Sequence, residues 1–226
     1  LLTLGWTRTF HLSRSRELVF LRQAEPALGY LGLATPLVLK SVKLILCDSA
    51  MINTFSTVLF DCDGVMCPPL RFAKVLNDSH NITLEMTARF FSESFPESLI
   101  GKVDVIQILP PFLIEWNWQG TVESFLDLWL ASEREADREM VAVVQDVRSK
   151  GFRVGLATNQ ESRRAAYMRS HMGFGDLFDD LFISCELGAM KPQLDFFTAV
   201  TKSLGVAPES ILFIDDQSHY IEAARN

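Results

Sequence analysis

Four short apolar runs punctuate the chain, and each gives way to polar residues. Phe55-Ser56-Thr57-Val58-Leu59-Phe60 stops abruptly at Asp61; Phe152–Ala157, Leu181–Ser184 and Ile211–Ile214 follow. Brief, β-favouring apolar runs of this kind predict strands buried on both faces of a parallel sheet. Helical spacing fills the intervals. From Glu133 to Lys150, Met140, Val141, Val143, Val144 and Val147 recur on one helical face, and Gly151 sits where a helix would stop. Pro192 to Leu204 repeats the design with Gly205 behind it, and Ser218–Arg225 reads as a last helix. Strand and helix in alternation predict the α/β class: a doubly wound parallel sheet with right-handed crossovers.

One interval is too long for a crossover. Residues 67–132 separate the first two strands and carry Phe72, Phe90, Phe91, Phe95, Phe112, Trp116, Trp118, Phe125 and Trp129 among helical patterns. They predict an inserted helical subdomain whose aromatics form its own core. Residues 51–66 and 133–226 then make up the main domain. The first fifty residues read differently. Arg8, Arg14, Arg16 and Arg22 lie among Ser, Thr and Leu, an acid-poor pattern found in leader segments, and Met51 falls just before the first strand. Residues 1–50 are therefore expected to be a leader or upstream translated segment, with Met51 the natural start. The apolar stretch from Ala27 to Leu46 is interrupted by Pro36, Lys40 and Lys43 and makes a poor membrane span.

The balance of the 226 residues narrows the partners. A 48% hydrophobic and 22% charged composition is that of a globular protein, and a net charge of −7 argues against a nucleic-acid partner. No membrane partner is expected, and either a monomer or a homodimer is compatible with the chain. Cys47, Cys62, Cys67 and Cys185 form no CxxC pair and no dense framework, which suits reduced thiols in the cytoplasm.

The chemistry gathers at the strand ends. Asp61-Cys62-Asp63-Gly64 ends the first run, Thr158-Asn159-Gln160 the second and Asp215-Asp216 the fourth; Lys191 follows the third. In open α/β sheets ligands bind beyond the carboxyl ends of the strands, so these residues are expected to converge. Each one alone is an ordinary turn, cap or surface residue. All four positions in order are not. Several carboxylates at one spot repel one another unless a hard cation sits among them, and Mg²⁺ prefers oxygen ligands. A phosphate would find a hydroxyl at Thr158, backbone N–H groups where a helix begins, and the Lys191 ammonium.

These residues resemble the motifs of the haloacid dehalogenase-like hydrolase superfamily, in the subfamily whose helical cap follows the first strand. Val58-Leu59-Phe60-Asp61-Cys62-Asp63-Gly64-Val65 is similar to the first motif, Gly155-Leu156-Ala157-Thr158-Asn159 to the second, Lys191-Pro192 to the third and Ile211-Leu212-Phe213-Ile214-Asp215-Asp216 to the fourth. Glu186-Leu187-Gly188-Ala189-Met190-Lys191-Pro192 is similar to the branch containing sugar-phosphate phosphatases.

The resemblance implies a Mg²⁺-dependent phosphatase acting on a small phosphorylated metabolite. Asp61 would be the nucleophile and Asp63 the general acid and base. Thr158, Asn159 and Lys191 would hold the phosphoryl group. Asp61, the Asp63 backbone carbonyl and Asp216 would bind the metal, with Asp215 close by. The superfamily's dehalogenases lack the second aspartate of the first motif, so Asp63 favours phosphoryl transfer. A phosphonatase needs an imine-forming cap lysine, and the insert offers only Lys74 and Lys102. A phosphomutase shares the same site residues and stays open. So does a catalytically silent binding module, because the family fold usually continues past the fourth motif into a further strand. The strand ending at Ile214 is accordingly expected at an open sheet edge.

Overall fold

A computed structural model describes residues 55–226. The expectations for residues 1–50 and the start at Met51 lie outside the described residues. The sheet has four parallel strands in the order β3-β2-β1-β4: β1 Thr57–Phe60, β2 Arg153–Thr158, β3 Asp180–Ile183 and β4 Ile211–Ile214. Thr57 stands beside both Arg153 and Ile211, and Phe60 beside Leu156 and Ile214, so β1 and β4 end level with one another while β2 runs on to Thr158.

Alternate side chains of each strand serve opposite faces. Val58, Phe60, Val154, Leu156, Leu212 and Ile214 pack with Met140, Val143, Val144 and Val147. Leu59, Ala157, Phe182, Ile211 and Phe213 pack with Phe196, Val200, Leu204 and Ile221. The sheet is thus the middle of three layers, and β1 and β4 are buried at every position, as the uninterrupted apolar runs require. Among the described residues the outer side of β4 pairs with no strand.

The helices, in chain order, are α1 Arg71–His80, α2 Leu84–Arg89, α3 Phe95–Leu99, α4 Val105–Ile108, α5 Pro110–Glu115, α6 Val122–Ser132, α7 Arg138–Ser149, α8 Ser162–Ser170, α9 Phe174–Leu177, α10 Ser184–Leu187, α11 Leu194–Leu204 and α12 Ser218–Ala224. Three of the boundaries that differ from the sequence reading bear on the site. The helix expected from Glu133 begins at Arg138, because the Asp137 side chain accepts hydrogen bonds from the Glu139 and Met140 N–H groups and caps it there. Glu133 instead closes α6. Ser184, read as the end of the third strand, opens α10, and the helix expected from Pro192 starts at Leu194 after a cis Lys191–Pro192 peptide.

Helices α1 to α6 form the insert between β1 and α7. All nine aromatics named above lie in or against one apolar cluster, with Phe72, Phe90 and Phe125 almost wholly buried. The Phe72 ring stacks on Trp129 at 5.0 Å and meets Phe125 edge-on at 5.2 Å. Where the chain leaves the main sheet and returns, the Asp137 N–H donates to the Met66 carbonyl at 2.7 Å and holds the two connections together.

Candidate active site

The strand order dictates where the site falls. The chain steps from β1 to β2 to β3 on one side, then crosses back to place β4 on the other side of β1. The crevice at such a reversal opens at the carboxyl end of the central strand. Asp61 follows β1 directly and its N–H donates to the Ile214 carbonyl at 2.9 Å, so the ends of β1 and β4 are locked side by side.

Lys191 arrives from the loop after α10, with its whole side chain buried. Its Nζ lies 2.8 Å from Asp61 Oδ1 and 2.6 Å from Asp215 Oδ2. The rings of Tyr220 and Phe213 flank the ammonium at 4.9 and 5.4 Å. Asn159 fixes the backbone that delivers it: its Nδ2 donates to the Lys191 carbonyl and its Oδ1 accepts from the Lys191 N–H, both at 2.9 Å. Thr158 is buried beside it, its hydroxyl oxygen accepting from Gln160 Nε2 at 3.2 Å.

Three carboxylates face this one ammonium. Oxygens of Asp61, Asp215 and Asp216 all lie within 4.8 Å of one another. Burial, opposed by Lys191 and reinforced by Asp215, pushes the Asp61 carboxyl up to about 8. Burial and the Asp215 charge push Asp216 up to about 6. Burial works against the Lys191 charge, but Asp61 and Asp215 outweigh it and hold the ammonium protonated well above its ordinary range. Fully ionised, the cluster would set three carboxylates against one ammonium.

A divalent cation fits this donor set. Asp215 is already engaged at both oxygens, by Lys191 and by the Gln217 N–H at 2.8 Å. Asp216 accepts from Gln217 at Oδ2, while its buried Oδ1 has no hydrogen-bond partner. Gly64 faces that carboxylate with φ +89°; a Cβ there would fall 2.4 Å from the Asp216 carboxyl carbon. An all-oxygen cluster with one buried oxygen unspent suits Mg²⁺ rather than a thiophilic metal.

Asp63 stands apart from this cluster, half exposed. Its Oδ2 accepts from Gln160 Nε2 and its Oδ1 from Arg164, both at 2.8 Å. The structure thus brings Asp61, Thr158, Asn159, Lys191, Asp215 and Asp216 to one end of the sheet, with the Asp63 carboxylate at its rim. Gln160, Arg164, Glu133, Gln217 and Tyr220 were not foreseen as site residues. The available signal was thin: Gln160 directly follows the Thr158-Asn159 strand end, and Arg164 lies one helical turn further on, behind the Glu161 cap.

Comparison with known proteins bears on the family and the fold. Residues 55–226 match the family model described as haloacid dehalogenase-like hydrolase. A sesquiterpene phosphatase of Aspergillus oryzae is 28% identical over 89 residues, covering 39% of this chain and 45% of that protein. A phosphatase of Mycobacterium tuberculosis is 32% identical over 83 residues, 36% of this chain and 38% of that protein. The chain therefore spans less than half the length of these two relatives. A phosphorylated carbohydrates phosphatase of Thermotoga maritima is 22% identical over 178 residues, 75% of this chain and 80% of that protein. Among solved structures, a family enzyme of Bacteroides thetaiotaomicron in complex with magnesium and inorganic phosphate superposes with a TM-score of 0.63 at 17% identity, covering 76% of this chain and 89% of that one. At that identity the likeness establishes the fold. With the matched model spanning the described residues from β1 to α12, the chain belongs to the haloacid dehalogenase-like hydrolase family.

Proposed function

We propose that the protein is a Mg²⁺-dependent phosphatase that hydrolyses a small phosphomonoester through an aspartyl-phosphate on Asp61. The observation that carries this reading is the pairing of two aspartates two residues apart in unlike settings. Asp61 is buried against Lys191, while Asp63 is half exposed and held at the rim. Two carboxyl groups in different environments suit a nucleophile and a proton carrier. Phosphatase names among the similar proteins support the reaction class. The small-metabolite substrate is an inference from the helical insert over the sheet end.

Asp61 attacks phosphorus, the bond to the leaving oxygen breaks, and Asp63 delivers a proton to that oxygen. Asp63 then takes a proton from the water that attacks the phosphoryl group, releasing inorganic phosphate and restoring Asp61. Lys191, 2.8 Å from the nucleophile, and Thr158 hold phosphoryl oxygens as charge redistributes, and the Asn159 N–H adds a donor. Asp61, Asp216 and the Asp63 carbonyl would hold Mg²⁺, which supplies charge neutralisation between the anionic carboxylate and the anionic ester. Helices α1 to α6, within residues 67–132, act as the cap, excluding water and selecting the leaving group. A cytoplasmic setting goes with this reading, since Cys47, Cys62, Cys67 and Cys185 form no CxxC pair and no dense framework.

The test is hydrolysis of para-nitrophenyl phosphate by the full chain with Mg²⁺ and with EDTA, beside Asp61→Asn and Asp63→Asn. Turnover that needs Mg²⁺ and disappears in Asp61→Asn is expected. Turnover unchanged by EDTA or by Asp61→Asn would overturn the reading.

A further inference from the structure

We propose that Arg164 is a positioning residue that sets the Asp63 carboxylate and couples it to the hinge of the insert; this rests on the reading of Asp63 as proton carrier. Arg164 lies in the first turn of α8 and is almost wholly buried, at 3% exposure. One end of its guanidinium donates to Asp63 Oδ1 at 2.8 Å, and the other donates to Glu133 Oε2. Gln160 holds the remaining Asp63 oxygen. Both oxygens of the proton carrier are therefore oriented by the β2–α8 connection, and neither is left to choose its own rotamer.

Glu133 is what makes this more than a local brace. It is the residue that closes α6, the last helix of the insert. Its carboxylate accepts from the Trp129 indole at 3.1 Å, and the Trp129 ring stacks on Phe72, in the first helix of the insert, at 5.0 Å. Glu133 thus reports on both ends of the insert, just beside the Met66–Asp137 backbone bond that joins the two connections. A shift of the insert that moves Glu133 moves one end of the guanidinium, and the other end holds Asp63. Seating of the insert and orientation of the proton carrier become one event.

The energetics favour a functional reason for this cation. Arg164 Nε is buried without a hydrogen-bond partner, and a guanidinium taken out of water is costly even between two carboxylates. Its Asp63 partner is 47% exposed, so that contact returns little stability. A buried apolar side chain would serve packing at least as well.

The test exploits the leaving group, since proton delivery matters most for poor leaving groups. The quantity is kcat/KM for a series of alkyl and aryl phosphate monoesters of rising leaving-group pKa, using the full chain, Arg164→Gln, Arg164→Lys, Glu133→Gln and Asp63→Asn. In Arg164→Gln the alkyl ester is expected to lose roughly ten- to a hundredfold while para-nitrophenyl phosphate loses less than about threefold, a fraction of the 10²–10⁴-fold that general acid catalysis supplies. Asp63→Asn should steepen the same dependence further. Arg164→Lys keeps the buried charge but cannot bridge, so it should fall between wild type and Arg164→Gln, and it carries the test if Arg164→Gln fails to fold. Glu133→Gln should tilt the series the same way although Glu133 makes no hydrogen bond to Asp63. Equal losses across all leaving groups in the Arg164 and Glu133 variants, with Asp63→Asn still steep, would reduce Arg164 to a structural residue and leave the phosphatase reading standing. A series left flat by Asp63→Asn itself would overturn the proposal together with the role given to Asp63.

Discussion

The two regions of this molecule bury their residues for opposite reasons. The insert buries Phe72, Phe90 and Phe125 against one another, and these rings need no partner beyond their apolar neighbours. The sheet end buries Asp61, Asp215, Lys191 and Thr158, each of which would rather be hydrated. One region spends apolar surface to gain stability. The other gives up stability to hold charges at a fixed place, the usual condition of a site that stabilises charge during reaction. Mutations in the two regions should therefore separate chemistry from stability.

The largest effect belongs to Asp61, the proposed nucleophile. Asp61→Asn should lower kcat by about 10⁴-fold or more in a steady-state assay, because the covalent step is lost. Lys191→Met comes next and would blur the separation. It strands Asp61 and Asp215 in a buried site, so urea unfolding should show a loss of about 3–5 kcal/mol together with the loss of activity. Phe90→Ala is its counterpart in the insert: the same unfolding measurement should show a loss of about 3–5 kcal/mol, with Mg²⁺ dependence retained.

The pH dependence sharpens the contrast further. Asp61 at about 8 and Asp216 at about 6 both sit above the ordinary carboxylate value of 3.8. Raised carboxyl groups contribute stability that is present below pH 4 and lost as pH rises through those values. In EDTA, the melting temperature should accordingly carry a falling contribution from this cluster between pH 5 and 8. Mg²⁺ at a hundredfold excess over its Kd should restore about 2.7 kcal/mol, or roughly 5–10 °C, at pH 8. The gain should be clearly smaller at pH 5, where protons compete for the same oxygens. The smallest effect is at the contact between the regions: Asp104→Asn weakens the partly exposed Arg163–Asp104 pair and should cost less than about 1 kcal/mol in thermal unfolding.

The same contrast explains what the sequence made legible. Asp61, Thr158 and the Asp215-Asp216 pair were readable because each follows an apolar run that ends in a polar residue, and Lys191 because it follows the third such run and precedes a helix. The sheet then brings them together by a rule of topology. Glu133 and Arg164 were not readable, because their roles exist only across the fold. Glu133 sits at the head of a good helical periodicity, and only the Asp137 cap shows that the helix starts later and leaves Glu133 to the hinge. Arg164 looks like one more basic residue on a short helix until the Asp63 loop and the end of α6 close around it. The insert's aromatics announced a core, but six short helices have no period long enough to fix their boundaries.

The most direct test of the nucleophile is an acid quench of the full chain, and of Asp63→Asn, during turnover of a phosphate-labelled ester with Mg²⁺, followed by peptide mapping. The expected result is label on the peptide carrying Asp61, more of it in Asp63→Asn, where the hydrolytic water lacks its base, and none in Asp61→Asn. Turnover with no label on Asp61 in either protein, or with label on another residue, would contradict an aspartyl-phosphate mechanism at this site.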